Sequence, residues 1–292
     1  MSHSPLTPRQ AADLLGVSES TVRRWCDRDL LPTTRTAGKH RRIERAALLQ
    51  FARREGIAVA SKSLMTAGRG GRLAAPEDLS DRLFQELVVG DELVVRGLIV
   101  DLAAESMEPS TVCDEVIAPA MHRIGDAWEI GQVGVYQEHA ATQAILAGIS
   151  DARLHIPSPE ATARVAVCAS LTGDPYSLGP AMSALILQAE GYRPRLVGAD
   201  TPIEELPRAV RDTAAAIVAL SVGAVPDAAK LVEDLHLLTT SAAGQDVLIA
   251  VGGHGLNREL RSQMTADFFG DTMGHLASFA RRQRKELNKP GA

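Results

Sequence analysis

Cysteine is scarce in this chain and solitary where it occurs: Cys26, Cys113 and Cys168 are the three in 292 residues. Far apart and forming no CxxC, they exclude a disulfide framework and a cysteine-built zinc site, and read as buried or idle thiols. No uninterrupted apolar run of about 18 residues occurs, which excludes an ordinary membrane-spanning helix. The N-terminus lacks the basic start and apolar core of an export signal, so a cytoplasmic location is expected. A uniformly basic surface is also missing, since the net charge is −5.

What is present is ordinary globular material, 45% apolar and 23% charged, long enough for two or three domains. The charge is unevenly spread. Residues 1–56 hold 11 Lys or Arg against 6 Asp or Glu, a net of +5, which leaves −10 on the remainder. A small basic module on an acidic body predicts that one end meets a polyanion.

Thr7 caps a first helix with the apolar face Ala11, Ala12, Leu14 and Leu15, and Gly16 ends it. Ser18 caps a second that runs through Val22 and Trp25. Val22 and Trp25 point inward, which leaves Glu19, Ser20, Thr21, Arg23 and Arg24 for a major groove. A basic β-hairpin turning at Gly38 follows, with Arg35, Lys39, His40, Arg41 and Arg42 available to phosphates or a minor groove. A third helix is expected from Glu44 to Arg54. In this order the segment Leu6 to Glu55 resembles the winged helix-turn-helix of MerR-family transcription factors, which implies binding of double-stranded operator DNA. One such module buries little surface, so a homodimer or homotetramer is expected. Ala58 to Ala75, with Gly68, Gly70 and Gly71, reads as a flexible linker.

Apolar periodicity then predicts four helices, at 77–89, 91–105, 110–128 and 133–152. Nine residues separate Trp128 from Glu138 and His139. This spacing resembles the cap of the CarA, CarH and LitR group of regulators, cobalamin-linked and often light-responsive. The resemblance implies that Trp128 covers the upper face of a corrin while Glu138 and His139 face its upper ligand. Glu138 and His139 are expected on different helix faces, which argues against zinc. Glu129 stands where light-responsive relatives can have a histidine.

From Arg164 short β-rich runs alternate with helices. Strands are expected at 165–171, 195–198, 216–222, 247–252 and 266–269, with helices starting at Pro180, Pro202, Asp227 and Leu256. The predicted fold class is thus a multidomain α+α/β chain. It comprises a winged helix-turn-helix (1–56), a linker (57–76), a four-helix cap bundle (77–155) and a flavodoxin-like, Rossmann-type α/β domain (156–292). Three islands fall at strand ends, where such sheets bind ligands: Asp174, Tyr176 and Gly179; Ser221 and Gly223; Gly252 and Gly253. They resemble the DxHxxG, SxL and GG signature of cobalamin-binding modules. That resemblance implies a nucleotide tail bonded by Ser221 and accommodated by Gly252 and Gly253.

Two positions depart from the signature: Gly223 replaces leucine, and Tyr176 replaces the cobalt-ligating histidine. A phenol must lose a proton before it ligates well. The pocket therefore holds cobalamin (adenosylcobalamin) without protein ligation, or another tetrapyrrole, or nothing. Asp174 is expected to bond the Tyr176 hydroxyl. The reading is a non-enzymatic DNA-binding regulator, a repressor as the resemblance implies. The alternatives are a ligand-independent regulator and a corrinoid methyl carrier. The tail Arg281 to Ala292 is basic and expected to be a frayed, solvated face.

Overall fold

The computed structural model describes residues 5–35, 38, 40–55, 66–67, 72–103 and 107–287. Helix α1 (Pro8–Leu15) starts where Thr7 and Gln10 satisfy each other. The Gln10 N–H donates to Thr7 Oγ1 at 3.2 Å and Gln10 Oε1 accepts from the Thr7 N–H at 2.8 Å. Ser18 caps α2 (Glu19–Asp27) by accepting from the Thr21 N–H, a contribution of about 1 kcal/mol. Strands β1 (Thr34–Arg35) and β2 (Arg41–Arg42) pair antiparallel, and Ile43 bridges back to Leu6 before α3 (Arg45–Glu55). Ala11, Leu15, Val22, Leu31, Ile43, Leu48 and Phe51 close a core of their own. Trp25 packs on it, its ring 4.9 Å from that of Phe51.

The segment expected to be a flexible linker contains a short antiparallel ladder, β3 (Thr66–Ala67) with β4 (Arg72–Leu73). The rest of that segment between Gly56 and Gly71 lies outside the described residues.

Four helices follow. Pro76 opens α4 (Pro76–Val89), where its missing N–H costs nothing. Asp91 caps α5 (Glu92–Asp101) by accepting from the Val94 N–H. Helix α6 is composite: Pro109–Thr111, a π-helical stretch Val112–Ile117, then Ala118–Glu129. Helix α7 (Val135–His155) is longer than expected. Apolar spacing does not announce a π stretch, which changes the hydrogen-bond register within a helix. Asp114 on it accepts N–H bonds from Met273 and Gly274, both at 2.8 Å, and so caps the last helix of the molecule.

The α/β domain runs β5 (Val165–Leu171), α8 (Leu178–Ala189), β6 (Arg193–Thr201), α9 (Glu205–Thr213) and β7 (Ala215–Ser221). It continues with α10 (Ala228–Ala242), β8 (Leu248–Gly252), α11 (Arg258–Ser262), β9 (Phe268–Gly270) and α12 (Met273–Leu287). The parallel sheet has the order β6-β5-β7-β8-β9, as expected of a flavodoxin-like fold, and β6 extends beyond 195–198 at both ends. One sheet face, with Ala166, Cys168, Ala219 and Ala250, shares a single core with Leu83, Leu98, Ile117 and Ile145 of the helical cap. The other face, with Val167, Val218 and Ile249, packs on α9 and α10 through Leu206, Val210, Leu231 and Leu235.

All three cysteines are free and buried, and burial pushes the Cys168 thiol up to about 12. The basic tail is helical as far as Leu287 and not frayed there, and its charged residues are largely exposed, as the expected solvated face requires. Arg281 makes a two-armed ion pair with the buried Glu190, at 2.6 and 3.0 Å, and Arg284 donates to the Glu190 carbonyl. A buried carboxylate needs such a partner, and composition could not show where it was. Residues 288–292 of that tail lie outside the described residues. No helix among the described residues is long and apolar enough to cross a membrane.

Candidate functional site

Two sites were expected, a DNA-reading face and a ligand crevice. On α2, Arg23 and Arg24 are both exposed, and Arg23 is held by Glu19 at 2.6 Å. The Ser20 and Thr21 hydroxyls each lie 2.8 Å from Ser18 Oγ, so they belong to the helix start as well as to the outward face. His40 is exposed and Arg42 half-buried. Arg35 stands opposite Arg41 in the wing ladder, and Lys39 lies outside the described residues.

Arg41, expected to meet phosphate, is engaged within the chain. Its guanidinium turns inward to Asp27 Oδ1 and the Arg23 carbonyl, and ties the wing to α2. A fork of fixed N–H donors beside a carboxylate and a helix carbonyl is satisfied within the chain.

At the carboxyl ends of the strands the three islands meet. Asp174 is 4% exposed, and its carboxylate accepts from the Gly223 N–H at 2.6 Å and the Tyr176 N–H at 3.1 Å. It therefore joins the backbones of two islands; its two oxygens serve those amides instead of the expected Tyr176 hydroxyl. Its own carbonyl accepts from Ser170 Oγ at 3.1 Å and from the Asp200 N–H at 3.0 Å. Ser221 pairs in register with Gly252, and Gly252 with Gly270.

The glycines serve the close approach of the chain to itself. A Cβ on Gly179 would collide with Ser221 Oγ, and one on Gly252 would lie 2.8 Å from the Gly270 carbonyl oxygen. Gly253, at φ +123°, has its missing Cβ directed at the backbone of Val222. The chain's own close approach therefore requires glycine at these positions. Gly223 instead faces a ring: a Cβ there would lie 2.9 Å from Tyr176 Cδ2. Replacement of leucine by glycine in the second island thus matches replacement of histidine by tyrosine in the first.

Cap and crevice meet at rings. The His254 ring lies 6.2 Å from that of Tyr176 and 6.2 Å from that of His122 on α6. Both histidines are exposed, and Tyr176 is 54% exposed. Trp128, 47% exposed, ends the same helix as His122. Glu138 and His139 do not diverge as expected: their side chains approach to 3.6 Å, and Glu138 also accepts from Thr142 Oγ1 at 3.2 Å. Adjacent helical residues point apart at Cβ, but long side chains can fold back toward each other.

Three exposed rings, Tyr176, His254 and His122, thus stand in a row where cap and sheet meet. Sequence reading did not single out His254. His254 directly follows the Gly252–Gly253 island, and that adjacency was the available signal.

Residues 5–56 match the family model of a helix-turn-helix domain, and residues 79–150 match that of a B12 binding domain. The HTH-type transcriptional repressor CarH of Myxococcus xanthus is 29% identical over 263 residues, covering 83% of this chain and 87% of CarH. The repressor CarA of the same organism is 25% identical over 300 residues, covering 97% and 98%. In domain order and length the chain is similar to these two repressors. Its body is also similar to dimethylamine corrinoid protein 2 of Methanosarcina mazei, 24% identical over 217 residues, or 74% of this chain and 99% of that protein. The monomethylamine corrinoid protein of Methanosarcina barkeri superposes with a TM-score of 0.59 at 15% identity, covering 72% of this chain and all of that one, which shows the fold of the body.

Proposed function

We propose that this chain is a transcriptional repressor whose winged helix-turn-helix binds operator DNA as a homodimer or homotetramer. Its cap and α/β body bind cobalamin or a related tetrapyrrole between them. Ligand occupancy, and light where the ligand absorbs it, shifts the oligomer population able to bridge two half-sites. The observation that carries this reading is the union, in one chain, of the exposed α2 face with a body whose cap and sheet share one core. Cobalamin, when bound, would supply a cobalt centre with exchangeable axial positions. Trp128, Tyr176, His122 and His254 would line its faces, and Glu138 and His139 would meet polar groups of an upper ligand. The B12-binding match and the corrinoid relatives support a corrinoid over other ligands.

The test is fluorescence anisotropy with promoter DNA, run in parallel with size-exclusion chromatography, with and without adenosylcobalamin, in dark and light. Specific DNA binding that changes together with oligomer size on adding the ligand is the expected result. DNA binding indifferent to ligand and light would instead favour a ligand-independent regulator. Tyr176, standing where the resemblance places a cobalt-ligating histidine, is what speaks for that second reading. A methyl-carrier role has its support in the corrinoid relatives alone, and a DNA-binding head contributes nothing to methyl transfer.

A further inference from the structure

We infer that the groove between helix α12 and the edge strand β9 is a second ligand site, suited to a small phosphate ester that carries a flat ring, such as a nucleoside diphosphate. None of its lining residues belongs to the three islands, and it does not depend on what their crevice holds.

Helix α12 has two unlike sides. Leu276, Ala277, Phe279 and Ala280 are buried in the core shared with the cap. His275, Ser278, Arg281, Arg282 and Lys285 are exposed, and at 3.6 residues per turn they share roughly a third of the helix circumference. Beyond residue 56 the chain carries a net −10, so a face that gathers three cations and no acid stands apart from the rest of the body.

Those five residues and Phe268 line a groove of about 340 Å³, a volume within the range of small-ligand sites, about 300–1,000 Å³. Its parts are held in place. The Phe268 ring stacks on Phe279, with centroids 4.5 Å apart and planes at 11°. Gly270 admits that ring beside the helix: a Cβ there would lie 2.9 Å from Phe268 Cε1 and 3.5 Å from His275 Cβ. Arg281 is fixed through Nε and Nη2 by the buried Glu190, at 3.0 and 2.6 Å, and its Nη1 takes no part in that pair. His275 Nδ1 accepts from the Asp271 N–H at 3.2 Å, so the neutral ring carries its proton on Nε2 and offers a donor there.

The two acids that touch these residues are already matched, Glu190 by Arg281 and Asp271 by Arg261. Among the described residues, neither Arg282 nor Lys285 has a side-chain ion pair or hydrogen bond. Two unpaired cations beside a guanidinium edge, a hydroxyl and an imidazole N–H make a donor set for phosphate oxygens. No group of three or more His, Cys, Asp or Glu that could hold a metal occurs among the described residues, so the chain's own cations meet the charge. The Phe268 ring in the same groove favours a phosphate carried on a flat group over a bare anion. Contact with duplex phosphates needs cations on a surface and no concavity. A concave, partly aromatic groove therefore fits a small ligand better than a DNA backbone.

Equilibrium dialysis of the full chain against radiolabelled ADP, in EDTA, is the test, with unlabelled ADP, adenosine, inorganic phosphate and a random-sequence DNA duplex as competitors. The wild-type chain is expected to hold one ADP, with adenosine and phosphate each competing at least about tenfold less well than ADP. Arg282→Ala and Lys285→Ala should each weaken ADP binding about tenfold, the effect of losing one charge-assisted contact, and Arg282→Lys should recover part of the loss. Both positions are exposed, so thermal melts matching the wild type are expected and identify folded variants. No ADP held by the wild-type chain, or binding unchanged in both folded alanine variants, would overturn the site. Phosphate competing as well as ADP would reduce it to a bare anion site and overturn the nucleotide. Duplex binding that falls in these variants while ADP is not held would assign the face to DNA instead. The competition is read on the wild-type chain, so an unfolded variant does not decide the outcome.

Discussion

Asp174 holds two segments far apart in sequence with one buried carboxylate. Hydrogen bonds to charged groups contribute about 1.5–3 kcal/mol each, and a buried donor left unpaired costs a similar amount. Asp174→Ala is therefore expected to destabilise the body by about 3 kcal/mol in urea unfolding. Asp174→Asn should recover less than half of that, because one amide arm would present a donor to a donor. A loss below about 1 kcal/mol would remove Asp174 from this role. Gly253 provides a second residue-scale test, with Gly244 as its control. Both have positive φ, but a Cβ on Gly244 meets nothing within 4 Å while one on Gly253 would run into the Val222 backbone. Gly244→Ala is expected to cost about 1 kcal/mol of backbone strain, and Gly253→Ala at least about 2 kcal/mol more, both read from denaturant midpoints. Equal losses would show that the turn before His254 can relax.

At the scale of elements, the wing and α2 divide the labour among their arginines. Arg24 projects from α2, whereas Arg41 is spent on Asp27 and the Arg23 carbonyl. Arg24→Ala should therefore weaken promoter binding, leave the melting of the head unchanged, and reduce the salt dependence of log K by about one counterion if it meets a phosphate. Arg41→Ala should lower the melting midpoint of the head, with any loss of affinity following from a displaced wing. Anisotropy titrations at several salt concentrations, beside thermal melts of each variant, check both. An unchanged melt for Arg41→Ala with a weaker salt slope would return it to the phosphate-contact role that its place in the sequence implied. The composite helix α6 adds a second device at this scale. Its π stretch carries Asp114, whose carboxylate closes the N-terminal end of α12, where a negative charge is favoured by the free N–H groups.

At the scale of the whole molecule there are separate cores. Cap and α/β domain share one continuous core, while the head closes its own around Val22, Ile43, Leu48 and Phe51. Calorimetry of the full chain is expected to show two transitions, one for the head and one for cap and sheet together. Asp114→Ala should lower only the second. A cap that melts apart from the sheet would mean that their shared core does not couple them. What the sequence by itself determined is what local pattern can encode. Capping residues and apolar period placed the three helices of the head and the cap helices. Alternating strand and helix runs gave the sheet its order, and spacing put Asp174, Ser221 and Gly252 at strand ends. Only the tertiary structure decided what those groups touch. Asp174 faces backbone amides instead of a phenol, Arg41 faces Asp27 instead of solvent, Arg281 meets Glu190, and His122 meets His254 across two domains. Each of these pairings joins residues distant in sequence, or depends on which way a long side chain turns. Periodicity carries no record of either, because both are fixed by packing once the chain has closed on itself.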